Sequence, residues 1–200
     1  MPRIPEVPAK EAGWVVKLFY RMSRRRFGVV MDPVAVMAHH SKLLVAYGLE
    51  ETAVQKAAKV LPAEVRELAV YRTATRVGCS WCVDFGTMLQ RNHGLNIERL
   101  TDIEDYATSP QFTELDRLVI EYTDAMTDQP MHVSDEQVAE LDRRLGHQGL
   151  VELSFMIAVE NQRARFNHAL GITAQGFTSG DACAVPPRAV RSADRSPSAR

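Results

Sequence analysis

Apolar residues recur along this chain at intervals of three and four, and alternating apolar–polar runs are scarce. The pattern predicts helices throughout and an all-α fold. A first helix over residues 11–22 would carry Val15, Leu18, Phe19 and Met22 on one face. Asp32-Pro33 supplies an N-cap and a first-turn proline for a helix ending at Gly48, followed by a short helix over 51–60. Pro62 opens a helix over 63–77 that Gly78 ends in a left-handed conformation. A further helix over 82–93, capped by Ser80, stops at Gly94. Ser109-Pro110 starts a helix with Leu115, Leu118, Val119, Tyr122 and Met126 on its apolar side, and Ser134-Asp135-Glu136-Gln137 forms a capping box for one ending at Gly146. Residues 148–170 form the longest and most apolar segment, predicted to be buried on several sides in a core or a subunit interface.

Composition adds scale. Two hundred residues with 46% hydrophobic content suffice for one sizeable core, so residues 1–180 read as one helical domain and the Ala-, Pro-, Arg- and Ser-rich residues 181–200 as a flexible tail. A formal net charge of −1 gives no global attraction to nucleic acid or to an anionic membrane. No apolar run approaches the roughly 20 residues of a membrane span, and Met1-Pro2-Arg3-Ile4-Pro5 lacks the apolar core of a signal peptide, so a cytoplasmic protein is expected. Arg21, Arg24, Arg25 and Arg26 read as a solvated basic face.

The candidate chemistry lies in Cys79-Ser80-Trp81-Cys82. Two thiols three apart on the first turn of a helix share a face and can close a small disulfide ring, and the free amides of that turn favour a thiolate. Such a pair points to redox chemistry, with a merely packed pair as the plainer reading. Zinc needs four ligands, and no second C-x-x-C or H-x3-H accompanies it. Cys183 reads as an incidental tail thiol. Trp81 and Phe85, four apart, are candidates for a substrate pocket or for core, and His168 joins them as a pocket candidate. His39 and His40 read as structural histidines.

The stretch Glu67-x11-Cys79-x2-Cys82, within Arg66-Glu67-Leu68-Ala69-Val70 through Cys82-Val83-Asp84-Phe85, resembles the core motif of the AhpD-like, or carboxymuconolactone decarboxylase, family. Glu160-Asn161-Gln162-Arg163-Ala164-Arg165-Phe166-Asn167-His168 is similar to the C-terminal helix of one branch of it. The resemblance implies an AhpD-like helical bundle assembled as a homo-oligomer, and alkylhydroperoxidase activity without metal or organic cofactor, with electrons supplied by a protein or small-thiol donor. By the same resemblance Cys82 attacks the hydroperoxide, Cys79 resolves it and Glu67 belongs to a proton relay, whereas the helix dipole taken alone favours the more N-terminal thiol, Cys79, as the attacking one.

The sequence departs from the family pattern at Gly86, where a histidine is expected four residues after the second cysteine, and at Trp81, where some peroxidase members also carry one. His93, His168, His39 and His40 are the candidates to replace it, whereas Asp84 falls on another face of the helix from Cys82. Two readings compete with peroxide reduction: decarboxylation of a muconolactone-type acid, which does not depend on a cysteine pair, and a non-catalytic oligomeric redox sensor.

Overall fold

The computed structural model describes residues 2–178. The expected tail 181–200, with Cys183, lies outside the described residues. Among the described residues seven helices follow one another: α1 (Trp14–Phe27), α2 (Asp32–Met37), α3 (Ser41–Ala57), α4 (Ala63–Val77), α5 (Ser80–Asn92), α6 (Glu114–Thr127) and α7 (Asp135–Ala169). Short 3-10 segments, Ala38–His40 and Glu98–Asp105, link α2 to α3 and α5 to α6. No strand occurs among the described residues.

At the centre stands α4, which packs against α5, α6 and α7. Its sequence explains this position: Leu68, Ala69, Tyr71, Thr73, Ala74 and Val77 are all buried, so no face of the helix is left wholly to solvent. Arg72 is buried among them, paired through Nε and Nη2 with both carboxylate oxygens of Asp124 on α6 (2.6 and 2.7 Å) and through Nη1 with Glu104 (2.9 Å). That two-pronged pairing compensates the desolvated guanidinium and fixes α6 on α4. The 148–170 segment is the second half of α7, which turns at Gly146 (φ 69°, ψ 165°), where the pattern places a helix end. It buries Leu153, Ile157, Val159 and Ala164 but leaves Val151 and Phe155 on the surface beside Ala53, Ala57 and Val60.

Four expectations are corrected. α1 starts at Trp14 and buries Val16, Tyr20 and Ser23 rather than the Leu18 and Met22 side, because Tyr20 Oη donates to Val7 O and Ser23 Oγ binds the Val29–Met31 turn. The helix expected from Asp32 to Gly48 breaks at Ala38–His40, and α3 runs straight through Gly48. Gly48 is needed for close approach instead, since a Cβ there would lie 2.5 Å from the Phe19 ring. α6 begins after Thr113, whose capping box with Asp116 outcompetes Ser109-Pro110. The α5 cap is Cys79, not Ser80.

Candidate active site

The turn between α4 and α5 builds the site. Gly78 takes a left-handed conformation (φ 81°) that ends α4, its amide bonding back to Ala74 and Thr75, and the chain reverses at once into α5. Cys79 is the N-cap: its sulfur accepts from the Cys82 amide at 3.2 Å. Cys79 and Cys82 are joined as a disulfide with their Cα atoms 5.3 Å apart, within the ordinary range for such a bond. Both are buried, Cys79 at 1% exposure and Cys82 at 7%. Leu68, Tyr71, Val83, Ile120 and Ile172 belong to the apolar cluster around them.

Among the described residues the polar side chain that reaches the sulfurs is Asn167. Its Nδ2 lies 3.5 Å from Cys82 Sγ and 3.8 Å from Cys79 Sγ, and the residue is buried. His168, next in sequence, is exposed, which removes it from the pocket the sequence assigned to it. On a helix the following residue points about 100° away. The motif stretch that ends in Asn167-His168 contains the right segment. The signal for the right residue is its phase, seven positions after the buried Glu160 and three after the buried Ala164. The other candidate histidines stand outside the site as well. His39 contacts Pro5 O, His40 caps α3 by accepting from the Leu43 amide, His93 ends α5, and all three are exposed.

Trp81 and Phe85 stack at 4.7 Å and 18°, with Phe27 and Phe177 edge-on to Phe85 at 5.1 and 5.4 Å. This aromatic wall sits on the helix that carries the thiols. It is closed by the segment after α7, where Trp81 Nε1 donates to Gln175 Oε1 (3.2 Å) and the Ala174 amide donates to Ser80 Oγ (3.2 Å). Asp84 points to this segment rather than to Cys82. Its buried carboxylate accepts from the amides of Gln175, Gly176, Phe177 and Thr178 and from the Thr178 hydroxyl. Burial pushes the Asp84 carboxyl up, but the Thr178 hydroxyl and these amides outweigh it and hold the group below its usual range.

Glu67 lies ten residues before the end of α4, about 15 Å along the axis from the turn that holds the dithiol. Its carboxylate pairs with Arg66 Nε at 3.3 Å. Its charge also acts on a partly buried polar group on α3 and α7, in which Arg163 donates to the buried Glu160 at 3.2 Å and forms a two-pronged pair with Glu51 (2.7 and 2.7 Å). Burial raises the Glu160 carboxyl to about 7, Arg163 opposes this, and the charges of Glu51 and Glu67 add to it. Glu160 and Asn167 project from the same side of α7, two turns apart. The residues assigned to chemistry by sequence thus fall in two places, the dithiol under Asn167 and the carboxylates around Glu160. Among the described residues no cluster suited to holding a metal ion is present, and no helix is long and apolar enough to cross a membrane.

No known family's sequence profile matches the chain. YnjA of Escherichia coli K12, itself uncharacterized, is 28% identical over 167 residues, spanning 84% of this chain and 89% of YnjA. Among solved structures, the AhpD core of a peroxidase-related protein from Ralstonia eutropha JMP134 superposes with a TM-score of 0.73 at 15% identity, over 88% of this chain and 94% of the other. The debrominase Bmp8 superposes with a TM-score of 0.73 at 19% identity, covering 86% and 91%. Its cysteine-to-alanine variant in complex with 2,3,4-tribromopyrrole gives 0.74 at 18% identity over the same shares.

Proposed function

We propose, from the premise that this chain has the AhpD-like fold, that it is a thiol-dependent hydroperoxide reductase cycling Cys79 and Cys82 between dithiol and disulfide. The observation that carries this reading is the buried disulfide on the first turn of α5, capped by its own helix and faced by the Asn167 amide. In the cycle, the Cys82 thiolate attacks a peroxide oxygen and the O–O bond breaks. Cys82 becomes a sulfenic acid, and the alcohol departs after taking up a proton. The Cys79 thiolate then attacks Cys82 Sγ, expelling hydroxide, which leaves as water once protonated, and the disulfide forms. Two external thiols, from a protein or a small-molecule donor in the cytoplasm, restore the pair by exchange.

The geometry supports a division of labour between the sulfurs. Cys79, as N-cap, has the helix amide at its sulfur and is the better stabilised anion, which suits a resolving thiolate and the leaving group when the disulfide is reduced. Cys82 is the more accessible of the two, which suits the thiol that meets substrate and donor. Glu67 is the proposed proton relay, acting from a distance together with Glu160, whose carboxyl its charge helps to raise. Val151 and Phe155, exposed on α7, support a homo-oligomer that covers them.

The test is hydroperoxide consumption by the reduced protein, with trapping of the sulfenic acid. Cys79→Ser should accumulate one sulfenate at Cys82 and turn over once; Cys82→Ser should consume no peroxide. Absence of consumption and of disulfide formation in the reduced wild type sinks the reading. A second reading, reductive dehalogenation of a small aromatic, is favoured by the debrominase likeness together with the Trp81, Phe85, Phe27 and Phe177 wall beside the thiols. Release of bromide from a bromopyrrole by the same reduced protein, with peroxide untouched, selects it.

A further inference from the structure

A primary amide carries two N–H donors on one nitrogen, and Asn167 Nδ2 stands within reach of both sulfurs at once. The backbone holds it there: the Ile172 amide donates to Asn167 O at 2.9 Å, fixing the end of α7 where the side chain projects toward α5. A disulfide sulfur is a weak acceptor and the two contacts are long, whereas a thiolate is a strong acceptor that shortens and strengthens the same bonds. A buried amide so placed therefore gives little to the oxidised pair and much to the reduced one.

Resting on the dithiol cycle above, we infer that Asn167 is a catalytic residue: its Nδ2 hydrogens stabilise the Cys82 thiolate before attack and the Cys79 thiolate as it is expelled. During reduction a donor thiolate attacks Cys82 Sγ, and the S–S bond breaks with its electron pair passing to Cys79. A second donor thiolate attacks the donor sulfur of the mixed disulfide, releasing Cys82 as thiolate and the donor as its own disulfide. In both steps the sulfur that gains the pair lies against the same amide. An amide does not titrate in the working range, so it lowers the thiol pKa without adding a limb of its own to the pH profile.

The measurement is the thiolate absorbance near 240 nm against pH, and the dithiol–disulfide equilibrium against glutathione, both in a Cys183→Ser background so that only the pair reports. Asn167→Ala should raise the apparent thiol pKa by about one unit, a tenfold loss of thiolate at a pH below it, and shift the equilibrium toward the disulfide. Asn167→Asp keeps the shape and places a like charge on the sulfurs, so it should raise the thiol pKa further. It also serves if the alanine variant does not fold. Both folded variants titrating as the wild type overturns the inference, as does lost turnover with an unmoved thiol pKa. A shifted pKa in a protein whose wild type leaves hydroperoxide untouched sustains the role of Asn167 and removes only the peroxide.

Discussion

Asp84→Asn tests whether one carboxylate pins the segment that closes the aromatic wall. The wild-type side chain is 3% exposed and receives four backbone amides and one hydroxyl, all from residues 175–178. Asparagine is nearly isosteric but has one carbonyl oxygen, and its own amide group would confront donors. Bonds to a charged acceptor contribute about 1.5–3 kcal/mol each, but released amides regain water as the segment peels away, so the net loss should be about 2–4 kcal/mol. For a chain of this size that lowers Tm by about 5–15 °C.

The sign of the pH dependence is also fixed. The folded carboxyl is depressed below its reference value of 3.8, so the stabilisation is present above that value and fades as pH falls through the lower folded one. The gap between wild type and variant should be full at pH 7 and narrow progressively below about pH 4. Thermal melts followed by circular dichroism at both pH values measure it. Trp81 emission in a Trp14→Phe background, which leaves Trp81 as the single tryptophan, reports loss of the Gln175 contact as a red shift. An Asp84→Asn protein that melts within about a degree of wild type at pH 7, or whose deficit is the same at pH 3, refutes the reasoning.

Three other perturbations follow from the same structure. Glu160→Gln should remove a pH dependence of stability: with its folded pKa raised to about 7, Glu160 contributes most at low pH and loses that contribution as pH rises through 7. Urea midpoints measured from pH 5 to 8 should therefore fall less in the variant, and parallel curves count against a buried, protonated Glu160. Arg72→Ala leaves Asp124 without its two-pronged partner at the α4–α6 junction and should cost about 3–5 kcal/mol; an unchanged urea midpoint contradicts that. Gly86→His places an imidazole where the family motif has one. A Cβ at Gly86 meets no atom within 4 Å, and replacing a helix-interior glycine gains helix propensity, so the melting temperature should not fall. Hydroperoxide turnover should rise, and a folded variant with unchanged turnover would show that a histidine there does not serve the relay.

Apolar periodicity determined the all-helical fold of the described residues, and proline, glycine and capping signals determined the α4 boundaries, the capping box at Ser134 and the turn at Gly146, because each depends on residues within a few positions of one another. The C-x-x-C spacing likewise determined that two sulfurs could meet, since one helical turn brings them together. Which residues surround them was decided only by tertiary packing. Asn167, not His168, faces the sulfurs because the rotation of α7 is fixed by Leu153, Ile157 and Ala164 packing inward, while α4 holds Glu67 about 15 Å up its axis from the dithiol turn. The buried face of α1 and the role of Gly48 were out of reach for the same reason: a distant Phe19 ring, a Val7 carbonyl and a turn at Val29 choose among amphipathic phases that the local pattern leaves nearly equal.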